Sequence, residues 1–145
     1  MFKPVFLCSL LVVASLGAPS LRGEAAITEL ASTSQAHVVE IRSYNLKPGT
    51  RDRFQQTFVK EALPVLKRWK VDVVSYGPSQ HDQDSWFLMR AFNSVDERQK
   101  EEDAFYGSDE WKLGPRERIL ADIVSYTTVV ISVDDRTLQG LRNVK

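Results

Sequence analysis

Ser85-Trp86-Phe87-Leu88-Met89-Arg90-Ala91-Phe92 is the stretch whose reading decides the fold. Alternate side chains of a strand point to opposite faces. Trp86, Leu88, Arg90 and Phe92 therefore share one face, and Phe87, Met89 and Ala91 share the other. Both faces are largely apolar, as expected of a central strand covered on two sides.

Working outward, Val71–Tyr76 (VDVVSY) is a second β-rich run, ended by Gly77-Pro78 and joined to the first by the short polar loop 79–84. The two runs predict a hairpin. Upstream, His37–Tyr44 alternates β-branched and polar residues and reads as a strand, and Pro48-Gly49 breaks it. From Asp52 to Trp69, residues Phe54, Phe58, Ala62, Val65, Leu66 and Trp69 recur at helical spacing, with Thr50 in position to cap. Pro64 falls inside that helix and predicts a kink or a short second piece. Downstream, Ser94 and Glu97 have capping-box spacing, which starts a helix running through Asp96–Asp103 to Phe105. In Ala104–Ile119 (AFYGSDEWKLGPRERI), Gly107 and Gly114-Pro115 are breaks and Ser108 is a second cap, so this segment predicts a shaped corner of short helices ending at Asp122. Ile123–Val133 (IVSYTTVVISV) is the last strand.

The order β-α-β-β-α-β is that of an α+β, ferredoxin-like domain with an antiparallel sheet. Its helices cover one sheet face. The apolar second face of the third strand then calls for a second copy of the chain, which predicts a homodimer in the manner of the dimeric α/β-barrel proteins.

The 145 residues suit one domain. Residues 1–25 read as a signal peptide: Lys3, the apolar run Val5–Ala14, then small residues offering cleavage after Gly17, Ala18 or Ala25. The run is too short to span a bilayer, which leaves no stable transmembrane span after cleavage, an uncleaved anchor being the alternative. The expected location is periplasmic or secreted. Residues 26–36 form a polar linker, 37–133 the domain and 134–145 a loose or short helical tail. A net charge of +0 offers no electrostatic case for nucleic acid. The one cysteine, Cys8, lies in the leader, so the domain has neither a disulfide framework nor a cysteine nucleophile.

Residues that carry chemistry are few. His37 and His81 have no partner at metal-ligand spacing, and no metal site is expected. Glu101, Glu102 and Asp103 read as the wet face of a helix. The sheet instead offers a pocket-like face: Arg42 and Tyr44 on the first strand, Val74 and Tyr76 on the second, Trp86 and Arg90 on the third, Tyr126 on the fourth. Arg42, Tyr44, Tyr76, Trp86, Arg90 and Tyr126 are the candidate ligand-binding residues. Arg90, in the middle of an apolar strand, must meet either an anionic or phenolic ligand or a buried carboxylate such as Glu40, Asp72 or one from a second copy. Arg116, just after Gly-Pro, has the same two readings: a cap or a pair with Asp109, or a ligand contact.

Several phrases together resemble the NIPSNAP family: VVEIRSYNLKPGTRDRF at Val38–Phe54, EALPVL at Glu61–Leu66, VDVVSYGPS at Val71–Ser79, MRAFNSVDERQKEEDAFYGSDEW at Met89–Trp111, then GPRERIL and SYTTVVI. The resemblance implies the dimeric α/β-barrel fold and no catalytic motif. The export signal departs from the mitochondrial setting of the eukaryotic members. Two expectations follow: an exported homodimer binding a small apolar or aromatic ligand, or a small-molecule oxidoreductase of the cofactor-poor monooxygenase or haem-degrading type. A cofactor-free oxygenase would rest on Tyr44, Tyr76, Trp86 and Arg90 lining one cavity, a haem-degrading enzyme would want a histidine in the pocket, for which His81 on its loop is a weak candidate, and the cofactor, if any, is unknown.

Overall fold

A computed structural model describes residues 36–144; the expected signal peptide and nearly all of the linker lie outside the described residues. Four antiparallel strands, β1 (Ala36–Leu46), β2 (Asp72–Pro78), β3 (Ser85–Phe92) and β4 (Ile123–Asp134), form one sheet in the order β2-β3-β1-β4. The helices are α1 (Arg51–Thr57), α2 (Leu63–Arg68), α3 (Val95–Gly107), α4 (Asp109–Lys112), α5 (Arg116–Asp122) and α6 (Asp135–Leu141). This is the α+β, ferredoxin-like arrangement expected from the sequence.

Pro64 is accommodated without a broken helix. Between α1 and α2, residues Phe58–Ala62 widen into a π turn, and the Leu63 N–H reaches back to the Phe58 carbonyl. The wider turn places Pro64 in the opening positions of α2, where a missing N–H costs little. Thr50 precedes α1 but does not cap it; its hydroxyl donates to the Lys47 carbonyl at 2.8 Å and closes the Pro48-Gly49 turn instead. Gly49 there adopts φ +73°, a region that favours glycine. Ser94 and Ser108 do cap, accepting from the Glu97 and Trp111 N–H groups. The Glu97 carboxylate completes the first cap through Asn93. β2 does not stop at Gly77-Pro78 but runs through it, paired with Phe87 and Trp86.

The helix-side core is built around Trp86, fully buried, with ring centroids of Phe58 and Phe54 at 4.6 and 5.0 Å. On the other face a smaller cluster of Val39, Val74 and Ala91 is covered by Leu138 of α6. The tail is thus a helix that docks. Asp134 caps it, Arg142 forms a two-bond ion pair with Asp72 (2.8 and 2.7 Å), and the Val144 carbonyl accepts from Ser75. A bulge between Val73 and Ser75 corrects one expected face. Val73 packs with Tyr76 on the helix side, and Val74 turns to the opposite side with Leu138.

The corner after α3 depends on Gly114. A Cβ there would fall 2.3 Å from the Glu110 carbonyl oxygen, so any side chain must displace backbone between α4 and α5. Gly114→Ala is expected to lower unfolding free energy by about 1–3 kcal/mol in urea titration, as overpacking does.

Candidate functional site

α3 places Arg98, Glu102 and Tyr106 four residues apart, on one stripe facing the sheet. Opposite it, the β1–β3 register sets Glu40 beside Arg90, with Arg42 two residues along β1. Arg90 is 1% exposed and its Nη2 donates to Glu40 at 2.5 Å and to Glu102. Arg42 donates from Nη2 to Glu102 and from Nη1 to the Tyr106 hydroxyl, both at 2.8 Å. Arg98 pairs with both glutamates. Three guanidinium groups meet two carboxylates, so the cluster with both glutamates ionised holds a surplus of one positive charge. Its geometry is not saturated. Arg42 Nε lies 2.8 Å from Glu40 out of hydrogen-bond alignment, and neither it nor Arg90 Nε has an aligned acceptor.

Charges this deep persist only through one another. Burial pushes the Glu40 carboxyl up, but Arg90, bonded to it, and Arg42 outweigh that and bring it down to about 2. Glu102 moves the other way: burial and its contact with Glu40 hold it above the ordinary carboxylate value despite both arginines. Burial opposes the Arg42 and Arg90 cations too, but the oxygens of Tyr106 and Glu40 prevail and hold both above their ordinary values.

Beside this cluster, between the β1–β4 edge and α4–α5, opens a cleft of about 650 Å³. Arg42 and Tyr44 of β1 and Tyr126 of β4 form its floor, with Tyr106 of α3, Trp111 and Lys112 of α4, Arg116, Ile119 and Leu120 of α5, and Ile123 at the end of α5 as walls. Its charged lining residues, Arg42, Lys112 and Arg116, are all cations. The Arg42 guanidinium lies over the Tyr106 and Tyr126 rings, 5.4 and 5.6 Å from their centroids. The Lys112 ammonium donates to the Gly107 carbonyl at 2.6 Å. Arg116 pairs with the exposed Glu117, and not with Asp109 as expected. Burial, with Tyr106 nearby, pushes the Tyr44 phenol up against the opposing pull of Arg42, which keeps it neutral.

The structure separates the six residues singled out in the sequence. Arg42, Tyr44 and Tyr126 line the cleft. Tyr76 packs on Phe58, ring centroids 5.0 Å apart, and Trp86 is sealed in the core with its indole N–H on Gln55. Arg90 is held by Glu40, while Asp72 belongs to Arg142. Tyr76, Trp86 and Arg90 thus do not share a cavity with the other three. Glu102 is corrected as well: it is buried against the sheet, not on a wet face. Tyr106, Trp111 and Lys112 are site residues that the sequence reading did not single out as such. The signal for Tyr106 was its spacing from Arg98 and Glu102. His37 contacts Asp135 at 2.6 Å and His81 sits in an exposed loop; neither lines the cleft. Among the described residues no group of three or more His, Cys, Asp or Glu side chains is placed to hold a metal ion.

The two glutamates are expected to respond differently to neutralisation. Glu40→Gln leaves buried arginines uncompensated and should cost on the order of 3–5 kcal/mol at neutral pH. Because the folded-state value of Glu40 is depressed, its contribution is fully present above the ordinary value of 4.5 and is lost as pH falls toward about 2. The gap between wild type and Glu40→Gln in pH-dependent urea unfolding should close over that window. Glu102→Gln should cost less, since the ionised form of Glu102 is the disfavoured one in the fold.

A family model for NIPSNAP matches residues 39–130. Among solved structures, a NIPSNAP family protein of unknown function from Agrobacterium tumefaciens str. C58 superposes with TM-score 0.64 at 20% identity, over 69% of this chain and 90% of that one. A NIPSNAP-like domain protein from Burkholderia xenovorans gives TM-score 0.61 at 18% identity, over 66% and 83%. A putative antibiotic biosynthesis monooxygenase from Nitrosomonas europaea gives 0.50 at 13%, over 65% and 95%, a likeness of fold alone. No curated protein sequence matches the chain. A match spanning nearly the whole sheet and the helices between its strands is decisive: the chain belongs to the NIPSNAP family.

Proposed function

We propose that this protein is an exported homodimer in which the cleft between the β1–β4 edge and α4–α5 binds a small apolar or aromatic molecule. The observation that carries the binding reading is the cleft itself: about 650 Å³, walled by Trp111, Ile119, Leu120 and Ile123 with tyrosines at its floor. Apolar walls with a few polar handles are the usual build of a small-molecule site. A cofactor-free oxygenase needs Tyr44, Tyr76, Trp86 and Arg90 around one cavity, and three of those four are spent on packing and ion pairing outside the cleft; a haem-degrading enzyme needs a histidine there, and neither His37 nor His81 lines it. The binding reading is therefore preferred.

Support for the dimer comes from the second sheet face. α6 covers only part of it. Ile41, Phe87 and Met89 stay half-buried, and Val129 and Ile131 are 51% and 39% exposed. Both belong to β4, an edge strand of the sheet. A second copy packing on this face would remove it from water. Export rests on the leader pattern of residues 1–25. Among the described residues no helix is long and apolar enough to cross a membrane.

Two measurements test these readings. Native mass spectrometry of the mature protein should give a dimer, and Ile131→Glu should shift it to monomer; a wild-type monomer overturns the dimer. N-phenyl-1-naphthylamine, a neutral fluorescent probe, should bind saturably at one site per chain, and Leu120→Arg should abolish the signal by filling the cleft. Unsaturable emission, or emission indifferent to Leu120→Arg, overturns the binding reading.

A further inference from the structure

We propose that the molecule bound in the cleft carries an anionic oxygen, a carboxylate or phenolate on an aromatic or apolar body, and that the Tyr106 hydroxyl is the donor that recognises it. This rests on the reading of the cleft as a small-molecule site.

The argument begins with the valence of one oxygen. A tyrosine hydroxyl has one hydrogen to give and two lone pairs with which to accept. Tyr106 Oη accepts from Arg42 Nη1 at 2.8 Å and from Arg90 Nη1 at 3.3 Å. Guanidinium groups can only donate, so both lone pairs are taken by donors and the hydroxyl hydrogen must point elsewhere. Among the described residues it donates to no acceptor; Glu102 and Glu40 accept from arginines instead. Tyr106 lines the cleft. The fold therefore presents an O–H donor there whose acceptor must come from water or from a ligand. Two charged donors on its oxygen polarise that O–H and make it a stronger donor than an isolated phenol.

Charge selects which acceptor fits best. Arg42, Lys112 and Arg116 line the cleft with no carboxylate among the lining residues, and the cluster behind Arg42 holds its surplus positive charge. Arg42 spends its two best-aligned donors on Tyr106 and Glu102, so it acts on the ligand chiefly as a fixed charge. A cation is repelled, and a neutral acceptor gains the hydrogen bond without the field. A strongly hydrated phosphate is a poor match for walls of Trp111, Ile119, Leu120 and Ile123, whereas an aromatic carboxylate or phenolate places its body on those walls and its oxygen at Tyr106.

The test uses three probes of one shape on the mature protein by isothermal titration: 2-naphthoate, its neutral isostere 2-naphthamide, and 2-naphthylmethylammonium. In the wild type, 2-naphthoate should bind at least about 10-fold tighter than 2-naphthamide, the scale of one hydrogen bond to a charged group, and the ammonium probe should bind more weakly still. Tyr106→Phe keeps the ring against Phe105 and Trp111 and removes only the hydroxyl. It should weaken 2-naphthoate about 10-fold or more, and by more than it weakens N-phenyl-1-naphthylamine, which is held mainly by the apolar walls. Lys112→Gln/Arg116→Gln leaves the buried cluster untouched and should weaken 2-naphthoate and flatten its salt dependence. This double variant decides the matter if Tyr106→Phe proves unfolded by circular dichroism. Equal wild-type affinity for 2-naphthoate and 2-naphthamide, alongside retained N-phenyl-1-naphthylamine binding, overturns the anion inference and leaves the cleft reading standing. So does 2-naphthoate affinity unchanged in a folded Tyr106→Phe. Loss of all probes overturns the cleft reading and the inference together.

Discussion

The buried ion cluster decides how α3 sits on the sheet. That helix reads Val95-Asp96-Glu97-Arg98-Gln99-Lys100-Glu101-Glu102-Asp103-Ala104-Phe105-Tyr106-Gly107, and of these only Glu102 and Phe105 are buried. A helix so poor in apolar residues cannot dock by hydrophobic burial alone. Its inner stripe is held by guanidinium–carboxylate bonds to β1 and β3, which are directional where apolar packing is not. Direction matters because Tyr106 is carried on that stripe, and the caps and breaks at Gly107, Ser108 and Gly114 hang α4 and α5 from its end. The cleft is therefore positioned by electrostatics, although its walls are apolar.

Such a cluster stabilises less than its number of contacts suggests. Desolvating three guanidinium groups and two carboxylates offsets most of their mutual attraction, and similar buried networks can often be replaced by apolar side chains without loss. What an apolar replacement could not keep is the hydroxyl of Tyr106 tethered between two arginines, nor the field at the cleft floor. Two arginine Nε atoms without aligned acceptors point the same way. Buried donors left unsatisfied are a cost to the fold.

The sheet was legible in the sequence because each strand carries its own period, and SWFLMRAF is a strand at the bounds read from it. Arg90 was legible as an anomaly, and Glu40 as a partner for it, since a charge in an apolar strand has to be answered. Glu102 was not. Glu101, Glu102 and Asp103 are chemically alike, and which of them turns inward depends on the rotation of α3 about its axis, a tertiary quantity. The Val73–Ser75 bulge was equally invisible, because VDVVSY alternates whether or not one residue is left out of the ladder. The apolar second face calls for cover, but nothing local in the sequence tells that α6 takes a share of it, drawn in by Leu138 and clamped by Arg142. Of the site, the floor residues Arg42, Tyr44 and Tyr126 were legible from strand alternation. The walls belong to short helices set by the Gly-Pro corner, and no local pattern announces which way those face.

That every charged residue lining the cleft is a cation has a kinetic consequence. The chain as a whole carries a formal net charge of +0. At physiological ionic strength a local positive field decays over a Debye length of about 8 Å, so an anion in bulk solvent is not drawn in from afar. For the ligand proposed above, encounter would be an ordinary diffusional search, with discrimination only after entry. Preferred and rejected ligands of the same shape would arrive at similar rates and differ in how long they stay.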